Sequence, residues 1–155
     1  ARLVEQISRA NVQVANINSP NQIIIAGDVA ALENVGDYAR ELGARTVIRL
    51  PVTIAGHSEL MRPAVAEMTH ILRSISIAAP SVPFYSPTTK GVVDSPNAIY
   101  RLLVSQLTSR VEWVDTIRFM IKDGYHAFLE VGPGKVLSRL VADIDPNVEV
   151  SSTNS

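Results

Sequence analysis

The feature that most constrains this chain is the stretch Gln22–Gly27, QIIIAG, which runs straight into Asp28. Three consecutive isoleucines make a continuous β-branched apolar run, the pattern of a buried strand. Asp28 carries a side chain suited to cap a helix N-terminus, and Leu32, Val35, Ala39 and Leu42 recur behind it on one helical face. Gly43 then stands in the usual C′ position. A strand that feeds a capped amphipathic helix commits this part of the chain to an α/β arrangement.

The flanking segments extend that pattern. Leu3, Val4 and Ile7 lie at helical spacing within residues 1–10, and Val12, Val14 and Ala15 suggest a short strand before the turn cluster Asn18-Ser19-Pro20-Asn21. Thr46–Leu50, TVIRL, reads as another strand. The order strand, strand, helix, strand, preceded by a helix, is most of a ferredoxin-like βαββαβ unit lacking its first strand.

Beyond Pro51 the character changes. A helical stripe of Leu60, Met61, Ala64, Val65, Met68, Ile71 and Leu72 begins just after His57, and VPFYS follows as a short strand. Ser95-Pro96 sets an N-cap before a helix carrying Ile99, Leu102, Leu103 and Leu107. Trp113, Ile117, Met120 and Ile121 mark another helix, closed by Gly124. HAFLEV reads as a buried strand entering Gly132-Pro133-Gly134, and Val136, Leu137, Leu140 and Val141 mark the last helix, with SSTNS as a frayed tail. The N-terminus has no Met and reads as the end of a helix, which suggests a cut or processed chain.

Composition closes off several functions. A formal net charge of −1 exerts no pull on nucleic acid or an anionic membrane, and there are no cysteines for disulfides, thiolate sites or nucleophiles. His57, His70 and His126 show no ligand spacing, so no metal is expected. No apolar run approaches the roughly 20 residues of a membrane helix. With neither signal nor transit peptide in view, the expected compartment is the cytoplasm.

Gly56-His57-Ser58-Glu59 resembles the start of a nucleophile elbow, G-x-S-x-G, but Leu60 stands where the second glycine belongs. Pro51 and Thr53 also interrupt the apolar strand that should lead into it. Ser58 is therefore a poor nucleophile candidate, and His57 is the residue around which the segment makes sense.

LPVTIAGHSELMRPA resembles the segment that carries the catalytic histidine in malonyl-CoA:acyl-carrier-protein transacylases. VANINSPNQIIIAG, SQLTSRVEW and EVGPGKVL resemble three further segments of that acyltransferase family, in the family's order. The resemblance covers nearly the whole chain but only the C-terminal half of the family. The part bearing the G-H-S-x-G serine and the arginine that grips the substrate carboxylate has no counterpart here.

The resemblance implies residues 1–50 as a partial ferredoxin-like small subdomain and residues 51–155 as the C-terminal part of a larger hydrolase-like α/β subdomain. It implies malonyl transfer from coenzyme A to the phosphopantetheine thiol of an acyl carrier protein by a Ser–His ping-pong mechanism. His57 would be base and then acid, and its place at a helix start disfavours imidazolium. The implied partners are malonyl-CoA, an acyl carrier protein and the N-terminal half with its serine, without which this chain would be inactive. Coenzyme A thioester enters as substrate, and no bound cofactor is implied. The alternatives are a polyketide-synthase acyltransferase with another extender unit and a non-catalytic binding module of acyltransferase descent.

Gln106 matches the glutamine region that orients the histidine. It lies beside the stripe of Leu102 and Leu103, so it either points inward as a neutral acceptor or is an exposed helix glutamine. Asn18 either contacts substrate at the cleft mouth or, like Asn16 and Gln22, satisfies backbone groups of the turn. Gly132–Lys135 reads better as a tight strand-to-helix turn than as a phosphate loop. Gly56 replaces the Phe frequent in malonyl-specific members, which leaves space near the acyl α-carbon. Arg110 replaces a Pro, which bears on the loop after Gln106.

Overall fold

The computed structural model describes residues 11–89 and 91–153. The helix expected over residues 1–10, and Asn154 and Ser155 of the tail, lie outside them. Strands β1 (Val12–Ser19) and β2 (Gln22–Gly27) form an antiparallel hairpin, with Val12 opposite Gly27 and Ser19 opposite Gln22. The Ser19 hydroxyl accepts from the Asn21 amide at 3.2 Å, so the strand runs deeper into the turn cluster than its composition suggests. A Cβ at Gly27 would stand 2.5 Å from the Asn11 oxygen and 2.8 Å from Val12 Cα. Only glycine permits this approach between the two backbones.

Asp28 caps α1 (Val29–Glu41) as expected, accepting from the amides of Ala30 at 3.0 Å and Ala31 at 3.3 Å. Gly43 ends it at φ +91. The strand expected at Thr46–Leu50 does not form. The segment is irregular, and Ile48 is 72% exposed. Among the described residues no strand pairs with it; Val47 alone in the run is not exposed, its Cγ1 3.2 Å from where a Cβ on Gly36 of α1 would be. A β-branched run without a pairing partner stays unpaired whatever its propensity.

The coil from Pro51 to Ser58 ends in a 3₁₀ turn, Glu59–Met61, that leads into α2 (Arg62–Arg73). Strands β3 (Phe84–Ser86) and β4 (Gly91–Val93) make a second hairpin. Ser95 caps α3 (Pro96–Ser105) through a 3.4 Å bond from the Ala98 amide. Strand β5 (Val111–Glu112) then runs parallel to β1, with Asn16 opposite Val111, and completes a sheet of order β2-β1-β5. The first sheet thus takes its third strand from beyond residue 50, and among the described residues QIIIAG is an edge strand with Ile23 exposed, not a buried one.

Helix α4 (Trp113–Lys122) follows at once and stops before Gly124, at φ +97. The Tyr85 hydroxyl of β3 donates to Asp123 at 2.8 Å, and burial together with that bond pushes the phenol above its ordinary range. Strand β6 (Ala127–Glu130), helix α5 (Val136–Ile144) and strand β7 (Glu149–Ser152) form a βαβ unit, with β6 and β7 parallel. The tail expected to fray is therefore ordered in its first residues, held by pairs such as Leu129 with Ser151 and by the Thr153 amide on the Glu130 oxygen at 3.0 Å. HAFLEV, read as buried, leaves Leu129 59% and Val131 77% exposed, since β7 is its only pairing partner among the described residues.

The core lies where β1 meets α4 and α5. Val12, Ala15, Val111, Val114, Ile117, Leu140 and Val141 are buried, Ile117 and Val12 almost completely. Full burial of a side chain such as Ile117 contributes roughly 1.5–3 kcal/mol. That packing fixes β1, the strand to which the candidate site is referenced.

Candidate active site

His57 lies at the end of the coil that precedes the 3₁₀ turn, with φ +61. For a non-glycine residue this left-handed backbone costs on the order of 1–3 kcal/mol and persists only under restraint. Several bonds supply that restraint. The Ser58 hydroxyl donates backwards to the Ala55 oxygen at 2.6 Å, the Met61 amide donates to the Ser58 oxygen at 3.0 Å, and the Glu59 amide donates to Gln13 Oε1 of β1 at 2.6 Å.

The imidazole is half-buried and reaches the far end of α3. Its Nδ1 stands 2.8 Å from the main-chain oxygen of Gln106 and 3.2 Å from that of Ser109. Carbonyl oxygens only accept, so Nδ1 is the donor and carries the proton. In a neutral ring with that tautomer it is Nε2 that bears the lone pair, the form in which a histidine takes a proton from another group. The Gln106 oxygen is there because a helix leaves its last carbonyls without intrahelical partners, and the Ser109 oxygen lies in the turn just beyond the helix end. Past Ser105 the chain turns, with the Gln106 amide on the Leu102 oxygen and the Ser109 amide on the Ser105 oxygen, both at 2.9 Å.

His57 and Gln106 therefore meet, as the sequence suggested, but not through the side chain considered there. Gln106 is the C-cap of α3 and offers its backbone oxygen. Ser109, the second acceptor, and Gln13 were not singled out from the sequence. A main-chain contact leaves no mark in residue type, and Gln13 lies 46 residues from Glu59.

Ser58 is 1% exposed with its hydroxyl committed to Ala55, so it is not available as a nucleophile. Asn18 Nδ2 donates to Gln22 Oε1 at 2.9 Å, tying the two side chains to each other across the hairpin turn. Asn16 sits half-buried on β1 opposite Ile24 and Val111. A Cβ on Gly56 would meet nothing within 4 Å, so the space beside His57 is open. Arg110 donates from Nε to Glu112 Oε1 at 2.7 Å and also from Nη2, which pins the turn carrying the Gln106 and Ser109 oxygens to β5.

Glu130 accounts for the turn after β6. Its carboxylate accepts from the Ser138 hydroxyl at 2.6 Å, the Ser138 amide at 2.8 Å and the Leu137 amide at 3.1 Å. These bonds, the Ser138 hydroxyl foremost, hold its carboxyl below the usual range. The start of α5 is thus already filled by an anion of the chain itself, which supports a turn at Gly132–Lys135 over a phosphate loop.

Comparison with known proteins gives the family. Residues 2–151 match the family described as acyl transferase domain. A malonyl CoA-acyl carrier protein transacylase of Bacillus subtilis is 38% identical over 134 residues, which is 86% of this chain and 42% of that protein. The crystal structure of an acyl-carrier-protein-S-malonyltransferase from Bartonella henselae superposes with TM-score 0.92 at 32% identity, over 99% of this chain and 49% of that one. A type II polyketide acyl-carrier protein in complex with its malonyl-transacylase aligns with TM-score 0.90 at 32% identity, over 99% and 50%. The chain belongs to the acyl transferase domain family. It spans about half the length of the relatives it matches.

Proposed function

We propose that this chain supplies the histidine half of a Ser–His acyl transferase that moves a malonyl group from coenzyme A to an acyl carrier protein. The supporting observation is the contact of His57 Nδ1 with the Gln106 and Ser109 oxygens, which turns Nε2 away from them as the nitrogen that would take a proton. The serine would come from an N-terminal half bearing G-H-S-x-G, a motif this sequence lacks. Residues 1–50 belong to the small subdomain in this proposal, supported by the β1-β2-α1 order, and residues 51–155 to the large one.

The steps balance with the chain's own base. His57 Nε2 takes the serine proton as the serine oxygen attacks the thioester carbonyl. The carbon–sulfur bond breaks and coenzyme A leaves with the proton from His57. In the second half the phosphopantetheine thiol of the carrier protein gives its proton to His57 and its sulfur attacks the acyl-serine. The carbon–oxygen bond breaks and the serine regains its proton. No bound cofactor takes part, and both malonyl-CoA and the carrier protein are substrates.

The test is reassembly. This chain is mixed with an N-terminal half, labelled malonyl-CoA and a phosphopantetheinylated carrier protein, and label on the carrier is counted. The expected result is transfer by the mixture, none by the chain alone, and none by a mixture with His57→Ala. Undiminished transfer with His57→Ala would leave the chain a non-catalytic module.

A further inference from the structure

We propose that Gln13 is a positioning residue for His57, acting through the backbone of the loop that carries it. The proposal rests on His57 being the base of the reaction above. Ser58 occupies the N-cap position of the 3₁₀ turn with extended backbone, φ −137 and ψ 164, where a serine ordinarily accepts from the first amides of a helix. Here its hydroxyl is turned the other way, onto the Ala55 oxygen. The Glu59 amide, the first of the turn, is taken by Gln13 Oε1 at 2.6 Å across 46 residues.

The anchor at the other end is firm. Gln13 sits opposite Ala26 in the strand between β2 and β5, next to the fully buried Val12. Three residues further along the same strand, Asn16 pairs with Val111, two residues past Ser109. One strand thus references both sides of the contact. Through Gln13 it holds the backbone that aims the ring, and through β5 it holds the turn whose oxygens receive Nδ1–H. His57 is in the left-handed region, a conformation the loop keeps only while it is restrained from outside. Removing the Gln13 amide oxygen frees one side of the contact and leaves the other fixed.

The experiment uses the reassembled enzyme and three variants. Gln13→Thr keeps a polar, strand-favouring residue too short to reach Glu59; Gln13→Glu keeps an acceptor of the same length. Gln13→Thr is expected to lower kcat about three- to tenfold, the range one ordinary hydrogen bond supports, with KM for the acyl-CoA unchanged within about twofold. The ring ¹⁵N shifts of His57 are expected to move from the Nδ1–H tautomer toward a mixture, and Gln13→Glu to restore both readings. A wild-type kcat and an unmoved tautomer in Gln13→Thr would overturn the proposal, as would a loss that Gln13→Glu does not recover. His57→Ala run alongside separates the two ideas. If it transfers normally the base assignment falls, and if it is dead while Gln13→Thr is normal only the positioning role falls. Should Gln13→Thr fail to fold, amide exchange in the unmutated chain decides: protection at Glu59 supports the brace, and exchange at the open-chain rate overturns it.

Discussion

Nδ1 of His57 stands 2.8 Å from the main-chain oxygen of Gln106, so Gln106 holds the imidazole through its backbone and not its side chain. Gln106→Ala is therefore expected to keep transfer within about threefold of the unmutated enzyme, since it leaves the backbone bond in place. His57→Ala removes the proton acceptor and is expected to lose a factor of about 10²–10⁴. The check is steady-state transfer to the carrier protein by both variants in the same assembly. A Gln106→Ala loss as deep as that of His57→Ala would mean the side chain acts after all.

Ser58 is buried with its hydroxyl on the Ala55 oxygen. Ser58→Ala leaves that carbonyl short of a donor, and the expected cost is about 1–3 kcal/mol of stability. Thermal melts of the chain measure it. Activated esters given to the unmutated chain are expected to hydrolyse no faster than in buffer, because this serine is not exposed for attack.

Gly56 borders open space, and a Cβ there touches nothing within 4 Å. Gly56→Phe is expected to fold as well as the unmutated chain and to shift the competition between malonyl-CoA and methylmalonyl-CoA toward malonyl. The ratio of the two kcat/KM values in the reassembled enzyme reads this directly. No change in the ratio would place the acyl group away from this position.

Glu130 binds the first amides of α5 and the Ser138 hydroxyl, which depresses its carboxyl. A carboxyl with a lower value folded than unfolded stabilises the fold above its unfolded range, near pH 4, and loses that contribution as pH falls through the folded value. Melting temperature is expected to drop as the solution is acidified below about pH 4. Glu130→Gln is expected to melt lower at neutral pH and to show a shallower acid slope, measured by circular dichroism across that range.

The helices were legible because their signals are local. Asp28, Ser95-Pro96, Gly43 and Gly124 each mark an end through the chemistry of one or two residues, and each mark is where the structure uses it. The strands were less so, because a strand is defined by its neighbour. TVIRL has the composition and no pairing partner among the described residues, whereas Val111–Glu112 is only two residues long and is a strand because Asn16 and Ile17 lie beside it. The tail residues Ser151 and Ser152 look like fraying ends and are ordered by β6. At the site, family motifs brought His57 and Gln106 together. The sequence carried no sign that the bond would run through a backbone oxygen, that Ser109 would share it, or that Gln13 would reach Glu59.

Because the ring is aimed by two peptide oxygens and a left-handed turn, its direction depends on the path of the chain and hardly at all on the side chains at 106 and 109. Substitutions there that spare the path leave the imidazole where it is; an insertion or deletion between the end of α3 and β5 displaces both acceptors at once. Mutational scanning of this protein should accordingly find the stretch from Gln106 to Ser109 forgiving of changes in residue identity and intolerant of changes in length, with Arg110, whose side chain holds the turn to Glu112, the exception.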